Sequence, residues 1–275
     1  MDKLDSFPIG KERKDTLEQS RKKIDRFKKT GKDEILLQRR YSWVNSSVDG
    51  PDEIDGQPFR NSFRDILPKQ ERSLKDYIEK VLAKRKGEAI GIEFGGIGSR
   101  LFSDFTPGFF AKSVGVSLVD HREPEKLAII QKGDEKINHE LLEGDIFTDE
   151  THDRLNKLLR GKKIDLIIER MASGLEFVPL EPYRVSKILQ IWYKLLREGG
   201  IMLVQTPVEF NNLLTEWVTK IQKEYKDVIE LEYQKGNNDR GDPCSAFRLR
   251  KLPGAPEELP LLNPRTVRLT PKSRW

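Results

Sequence analysis

The stretch that decides the fold is EAIGIEFGGIGS, residues 88–99. Its first half is short and apolar, which predicts a buried strand over 88–94. The glycines of residues 95–98 predict a tight turn into a helix that begins near Ser99, because glycine adopts backbone conformations that other residues avoid. Such a turn also lets a ligand lie against the backbone. The stretch therefore predicts one strand–turn–helix unit of an α/β sheet, with a candidate ligand site at the turn.

Helical and strand patterns alternate on both sides of this stretch, across residues 69–250. We predict helices over 69–84, 99–105, 123–132, 149–160, 183–197 and 209–224, and strands over 88–94, 113–119, 138–142, 164–169, 201–205, 228–234 and 244–251. Strands joined through helices pair in parallel, whereas the last two strands are joined without a helix and can pair antiparallel. The predicted fold class is α/β: a Rossmann-like open, mostly parallel sheet with helices on both faces and a terminal antiparallel strand pair.

Composition divides the chain into three segments. Residues 1–68 are predicted to be a charged, helical and irregular N-terminal extension. Its aromatic side chains either belong to a lid over the site or pack against one end of the sheet; they are Tyr41, Trp43, Phe59 and Phe63. Residues 69–251 are predicted to form the α/β domain. Residues 252–275 are predicted to be a Pro-rich basic tail, because proline interrupts helices and strand pairing.

The basic charge is concentrated at the two ends of the chain. Of the net charge of +5, residues 1–40 hold 13 Lys and Arg against 8 Asp and Glu, and residues 251–275 hold 5 against 2. Basic ends can reach an anionic partner such as RNA. No nucleic-acid-binding motif accompanies them, so RNA stays one candidate partner among several.

Cysteine usage and hydropathy bear on the compartment. The single cysteine, Cys244, excludes an internal disulfide, and no Cys/His cluster has the spacing of a zinc site. No apolar stretch approaches the roughly 18–20 residues that span a bilayer. The charged N-terminus is unlike a secretory signal. We therefore predict a cytoplasmic protein without a metal site or a membrane segment.

Polar residues follow several predicted strands, where open α/β sheets bind their ligands. Asp120 ends the second strand and can accept two hydrogen bonds from a ribose diol. The segment EGDIF, residues 143–147, follows the third strand and places Asp145 beside apolar surface, which suits an adenine amino group and ring. Glu169 and Arg170 end the fourth strand. The sequence therefore predicts a nucleoside-binding edge.

Each of these residues also has a structural alternative. Asp120 can cap the helix that follows it, and Asp145 can cap a turn before residue 149. Glu169 and Arg170 can form ion pairs. His121 can be a polar neighbour of Asp120 without contacting any ligand.

Together these motifs, over residues 69–250, resemble the class I S-adenosylmethionine-dependent methyltransferases. The glycine turn resembles the first motif of that family, Asp120 its ribose-binding acid and Asp145 its adenine-binding acid. Residues 196–204, LREGGIMLV, resemble the approach to its fifth strand. The terminal strand pair is also similar, because the family inserts its last strand antiparallel. The chain departs from the family's acid-x-Gly-x-Gly pattern at Ile97, where glycine is usual.

The resemblance implies S-adenosylmethionine as the cofactor and methyl transfer as the activity. The residues predicted to bind the cofactor are Glu93, Phe94, Gly95, Gly96, Gly98, Asp120, His121, Asp145 and Ile146. Glu169 and Arg170 are predicted to face the methyl acceptor. The acceptor, the catalytic residues and the oligomeric state stay open.

Two other classes of function fit parts of the pattern. A non-catalytic scaffold that binds RNA or a protein is consistent with Ile97 in the glycine turn. An NAD(P)-dependent oxidoreductase is consistent with Gly96-x-Gly98 and with an acid after the second strand. However, Leu101 occupies the position of that motif's third glycine.

Overall fold

The computed structural model describes residues 63–71, 73–117, 127–169, 181–237, 243–267 and 269. The predictions for residues 1–62, Asp120, His121 and Arg170 lie outside these residues. Everything below concerns the described part of the chain.

In the part of the chain that the structure describes, one sheet contains seven strands in the order β3-β2-β1-β4-β5-β7-β6. The strands are β1 (Ala89–Phe94), β2 (Phe110–Ser117), β3 (His139–Glu143), β4 (Ile164–Glu169), β5 (Leu196–Pro207), β6 (Ile229–Asn237) and β7 (Pro243–Lys251). The first five strands pair in parallel, and β7 pairs antiparallel with both β5 and β6. The predicted mostly parallel sheet with a terminal antiparallel pair is confirmed.

Within the described residues, one α-helix precedes β1, and one follows each of the strands β1 to β5. They are α1 (Leu74–Val81), α2 (Ser99–Ser103), α3 (Leu127–Lys136), α4 (Asp149–Leu159), α5 (Pro182–Leu195) and α6 (Asn211–Glu224). Ser73 caps α1 by accepting a hydrogen bond from the Asp76 amide, and Thr148 caps α4 by accepting one from Thr151. None of the helices in the described residues is long and apolar enough to cross a membrane.

The start of β5 differs from the prediction. The sequence predicts a helix up to residue 197 and a strand from residue 201, but α5 ends at Leu195 and β5 begins at Leu196. Leu196 pairs with Ile164 of β4, and the register then shifts before Ile201 pairs with Leu166. Gly199 and Gly200 lie within this irregularity, where Gly199 has a φ of +81°. Pairing with β4 therefore overrides the local helix-stop signal.

Apolar side chains pack on both faces of the sheet. The larger cluster lies under α4, α5 and α6, and its centre includes Phe94 stacked on Trp192 with ring centroids 4.4 Å apart. The smaller cluster lies under α1 and α2 and contains Phe63, which is fully buried. For Phe63 the structure thus agrees with the alternative of packing against the sheet. The lid hypothesis for the other aromatics is untested.

The proline-rich segment after β7 packs onto the α/β unit. It contains no helix or strand over residues 252–267, as the prolines predict. Leu259 and Leu262 are buried in the larger cluster. The Gln190 side chain donates a hydrogen bond to the Leu259 carbonyl (2.9 Å), and the Trp217 indole donates one to the Pro260 carbonyl (2.6 Å). The domain boundary at residue 251 stays a prediction.

Candidate functional site

The carboxyl ends of β1, β2, β3 and β4 lie within about one residue of one another, whereas β5 continues to Pro207. Phe94 of β1 pairs with Val116 of β2 and with Glu169 of β4, and Glu169 pairs with Val204 of β5. The strand order reverses between β1 and β4. Ligands of open α/β sheets bind at such a reversal, outside the carboxyl ends of the strands. The glycine turn after β1 and Glu169 at the end of β4 therefore flank the expected ligand crevice.

Backbone conformation explains the glycines of the turn. Gly95 and Gly98 both have a φ of +81°, which favours glycine. A Cβ atom on Gly98 would lie 2.7 Å from the His139 ring and 3.2 Å from the Gly115 Cα atom. A Cβ atom on Gly96 would lie 2.3 Å from a carboxyl oxygen of Glu93. The turn, which we call the glycine loop (residues 95–98), is thus closely packed on its own strand and on β2.

Ile97 fits this loop without backbone strain. Among the described non-glycine residues, positive φ occurs at Asn138 and Arg160 and not at Ile97. The Ile97 side chain is buried. The backbone carbonyl of Ile97 occupies the space beside Gly115, because a Cβ atom added to Gly115 would lie 1.7 Å from the Ile97 oxygen. The departure from the family pattern therefore has a local physical reason.

Two buried side chains link the glycine loop to β2 and β3. The His139 Nε2 atom lies 2.8 Å from the Ile97 carbonyl oxygen, and Nδ1 lies 2.9 Å from the Ser113 hydroxyl. The sequence interpretation missed both residues, because the partners of His139 are 26 and 42 positions away. No local motif could have indicated them.

The turn after β3 is shaped by Asp145. One carboxyl oxygen of Asp145 accepts a hydrogen bond from the Phe147 amide (3.0 Å), and its carbonyl accepts one from the Thr148 amide (3.0 Å). This is the turn-capping role that the sequence left as an alternative. The predicted adenine-binding role of Asp145 and Ile146 is not tested by these contacts.

Side chains of α4 and α5 hold the two carbonyls of the same turn. His152 Nε2 donates to the Ile146 carbonyl (2.9 Å), and Arg184 donates to the Phe147 carbonyl (3.3 Å). The guanidinium of Arg184 also lies 6.0 Å from the centre of the Phe147 ring. Burial lowers the pKa of His152 below its ordinary value. Because a carbonyl only accepts hydrogen bonds, a neutral His152 carries its hydrogen on Nε2.

Two carboxyl groups lie buried beside the strand reversal. Glu93 and Glu169 are 0% and 1% exposed, respectively. Glu169 shares its register position and hence its face with Phe94, whereas Glu93, one residue earlier, points to the opposite face. Among the described residues, Glu93 and Glu169 thus place a buried carboxyl group on each face of the sheet beside the expected crevice. The ring of Phe94 belongs to the core, which leaves its backbone to face a ligand.

The described residues bring most of the predicted site to one edge. Glu93, the glycine loop, Asp145 and Glu169 all lie at the carboxyl ends of neighbouring strands. Whether they bind a ligand stays a prediction. In the described part of the chain, no three His, Cys, Asp or Glu side chains group as metal ligands.

The strand order supplies the last observation, because β7 lies antiparallel between β5 and β6 as the sequence resemblance implied. The chain has the class I methyltransferase fold. No protein-family model and no curated protein matches its sequence. Solved structures similar to it include an rRNA methylase from Streptococcus thermophilus, at 16% identity and a TM-score of 0.40, with 67% of this chain and 99% of that chain covered.

Two further similar structures are methyltransferases. An N-methyltransferase from Bradyrhizobium japonicum is 12% identical, with 65% of this chain and 94% of that chain covered and a TM-score of 0.40. An O-methyltransferase from Bacillus cereus is 13% identical, with 76% of this chain and 96% of that chain covered and a TM-score of 0.39. Likeness at this level carries no information on substrate or activity, so the functional argument rests on the site itself.

Proposed function

We propose that this protein transfers a methyl group from S-adenosylmethionine to an acceptor that is still to be identified. The observation that carries the proposal is the arrangement at the strand reversal. There the glycine loop, packed against Glu93, ends β1 at the same level as Glu169 ends β4. This is the position at which sheets of this topology bind nucleotide-like ligands.

The geometry of the glycine loop supports a bound cofactor. The peptide bond between Ile97 and Gly98 is trans and planar, so the Gly98 N–H points away from the side on which the Ile97 carbonyl meets β2. The loop can therefore offer backbone donors to a ligand without a side chain in between. Glu93, the glycines of this loop and Asp145 are the described residues that we propose hold the cofactor. Outside the described residues, we retain Asp120 and His121.

When bound, S-adenosylmethionine supplies a methyl group that its positively charged sulfur already activates. The chain then has to orient the acceptor in line with that group and to exclude water. We propose that the buried carboxyl groups of Glu93 and Glu169, one on each face of the sheet, contribute to this positioning. We propose that Glu169 and Arg170 face the acceptor. No catalytic base is assigned, because one is needed only where the acceptor must lose a proton.

The alternatives from the sequence receive less support. The non-catalytic scaffold was suggested by Ile97, which has negative φ and fits the glycine loop. The oxidoreductase would need a third glycine at Leu101, and Leu101 is fully buried in the smaller cluster. RNA as acceptor or partner stays a prediction from the basic ends of the chain. A cytoplasmic location stays a prediction as well.

Calorimetric titration of the purified full chain tests the proposal. We expect S-adenosylmethionine and S-adenosylhomocysteine to bind with micromolar affinity and NAD not to bind. Asp120→Ala should weaken binding of S-adenosylmethionine and S-adenosylhomocysteine by about tenfold or more, because it removes charged hydrogen bonds. Asp227→Ala is the matched control, since Asp227 is exposed at the opposite edge of the sheet. A folded wild-type chain that binds neither compound overturns the proposal.

A further inference from the structure

A buried chain of hydrogen bonds connects three elements beneath the glycine loop. It runs from the Ser113 hydroxyl on β2 through the His139 ring on β3 to the Ile97 carbonyl, with contacts of 2.9 and 2.8 Å. Ser113 is fully buried and His139 is 6% exposed. A buried histidine with both ring nitrogens engaged has a fixed orientation. The ring therefore anchors one particular peptide of the loop.

The direction of each hydrogen bond follows from the chemistry of the partners. The Ile97 carbonyl can only accept, so Nε2 of His139 carries a hydrogen and donates it. In a neutral ring Nδ1 then accepts from the Ser113 hydroxyl. The Ile97 carbonyl thus selects the tautomer, and the Ser113 hydroxyl, which can donate or accept, complements it by donating to Nδ1. Any replacement must supply both a donor and an acceptor to preserve this arrangement.

Packing around the ring depends on the same close approach. A Cβ atom on Gly98 would lie 2.7 Å from His139 Cε1, and one on Gly115 would lie 1.7 Å from the Ile97 oxygen. The Phe102 ring on α2 lies 5.8 Å from the His139 ring. The glycines thus open the space, and His139 supplies the donor that the buried carbonyl needs. An apolar side chain could fill the space but would leave that carbonyl unpaired.

We propose that His139 is a positioning residue for the cofactor. It holds the Ile97 carbonyl against β2 and thereby orients the Gly98 amide for the ligand, without touching the ligand itself. Ser113 acts with it by donating a hydrogen bond to Nδ1, which fixes the orientation of the ring. This inference rests on the proposed function, because it assigns His139 to the affinity of the same cofactor site.

The test compares substitutions that keep or remove the donor. His139→Gln retains a donor and an acceptor, whereas His139→Leu retains neither. Leu231→Ala is the matched control for a general loss of stability, since Leu231 is buried in β6 at the far side of the sheet. For each full-length variant we would measure the free energy of unfolding in urea. The dissociation constant for S-adenosylhomocysteine would be measured at a temperature where every variant is folded.

We expect His139→Leu to weaken binding by about tenfold, roughly the effect of one lost buried hydrogen bond. The dissociation constant of His139→Gln should stay within about threefold of the wild-type value. Leu231→Ala should bind with the wild-type affinity despite its lower stability. Ser113→Ala should weaken binding by about threefold, and it carries the test if His139→Leu does not fold.

The outcomes separate the two proposals. If the wild type binds but His139→Leu or, in its place, Ser113→Ala binds equally well, the positioning role is wrong and the proposed function stands. The positioning role is also wrong if Leu231→Ala loses as much affinity as His139→Leu, because binding would then follow stability alone. A folded wild type that does not bind the compound overturns the proposed function and this role with it.

Discussion

The two edges of the parallel sheet use their buried polar groups differently. At the amino edge, Asp165 of β4 accepts hydrogen bonds from the Arg85 side chain (3.2 Å) and the Ile90 amide (2.9 Å) and lies 3.3 Å from Arg197. Its charge is thus compensated within the chain. At the carboxyl edge, buried cationic or imidazole side chains bind backbone carbonyls of loops instead. The contacts of Asp165 stabilise the amino edge. The contacts with loop carbonyls hold the loops of the carboxyl edge in the conformation that we propose binds a ligand.

The carboxyl edge also keeps unused hydrogen-bonding capacity. His152 Nδ1 and Arg184 Nε are buried, and neither makes a hydrogen bond within the described structure. Arg197 Nε at the amino edge also makes none, but it lies 3.3 Å from the Asp165 carboxylate. Buried polar atoms of folded proteins are nearly always paired, so exceptions concentrate where a ligand, a water molecule or strain is involved. The comparison teaches that the amino edge should govern stability and the carboxyl edge should govern binding. Four substitutions test this division.

Asp165→Ala should break the amino edge and have the largest effect on stability. It removes the hydrogen-bond acceptor of Arg85 and of the buried Ile90 amide, and the ion-pair partner of Arg197. We therefore expect the free energy of unfolding to fall by about 3 kcal/mol. Urea unfolding measures this loss. Affinity for S-adenosylhomocysteine in the remaining folded protein should be unchanged.

The control for Asp165 is an exposed ion pair. Glu140, about half exposed, pairs with Lys112 at 2.6 Å, and Glu140→Ala should cost less than about 1 kcal/mol. Equal losses for the two variants would contradict the special role of the amino edge.

Gly115→Ala should disturb the carboxyl edge next. The new methyl group collides with the Ile97 carbonyl and must displace the glycine loop, so we expect a loss of about 2 kcal/mol in stability. Binding of S-adenosylhomocysteine, measured by calorimetry, should weaken by about tenfold or more, because the loop amides move with the carbonyl. The two variants thus differ in their expected effect on affinity, which Gly115→Ala lowers and Asp165→Ala leaves unchanged.

A second glycine provides the matched control. Gly133 lies in α3, and a Cβ atom added there would meet no neighbouring atom within 4 Å. Gly133→Ala should therefore stabilise the chain by about 0.5–1 kcal/mol without changing affinity. Tighter or unchanged binding in Gly115→Ala would show that the loop does not contribute to the site.

His152 should make stability depend on pH. Burial lowers its pKa in the folded chain, so between that value and its ordinary pKa of about 6.5 the unfolded chain binds more protons. The stability is fully present above pH of about 6.5 and declines as the pH falls toward the lowered pKa. Unfolding in urea at neutral and mildly acidic pH should show a decline of at most about 1.4 kcal/mol per pH unit from this group.

His152→Gln keeps a donor for the Ile146 carbonyl but does not titrate. We expect this variant to lose less stability on acidification than the wild type. An identical pH dependence in the two proteins would exclude His152 as the source.

Arg184→Met should have the smallest effect on stability. In the described residues its guanidinium contacts the Phe147 carbonyl and ring, with no carboxylate within 4.0 Å. Replacing a buried charge without an ionic partner by an apolar side chain is often neutral or stabilising. We expect a change within about 1 kcal/mol in urea unfolding.

The same substitution at Arg248 provides the comparison. Arg248 donates to the Ile66 carbonyl (2.8 Å) and to the Tyr77 hydroxyl (2.7 Å), so Arg248→Met should cost about 2 kcal/mol. If Arg184→Met proves as costly as Arg248→Met, the carboxyl edge is built for stability as well.

The sequence predicted much of the fold but only part of the site. Strand and helix order followed from hydrophobic periodicity. The described polar residues at strand ends lie together at the carboxyl edge, where ligand binding stays a prediction. The predicted start of β5 was wrong, because Leu196 pairs with Ile164 although the sequence around it is typical of the end of a helix. The sequence left two roles open for Asp145, binding adenine or capping a turn. The structure shows the turn-capping hydrogen bond. Phe63, which the sequence places in the N-terminal extension, packs in the smaller cluster, and the boundary of that extension stays a prediction.

What the sequence determined by itself is local: periodicity, turn residues and the succession of strands and helices. Each depends on side chains within a few positions of one another, so the signal is present in the chain before it folds. Strand order and register decided the rest. They bring His139 and Ser113 beneath Ile97, and they carry Leu259 and Leu262 onto the larger cluster. Such contacts join residues distant in sequence, and for that reason only the tertiary structure could decide them.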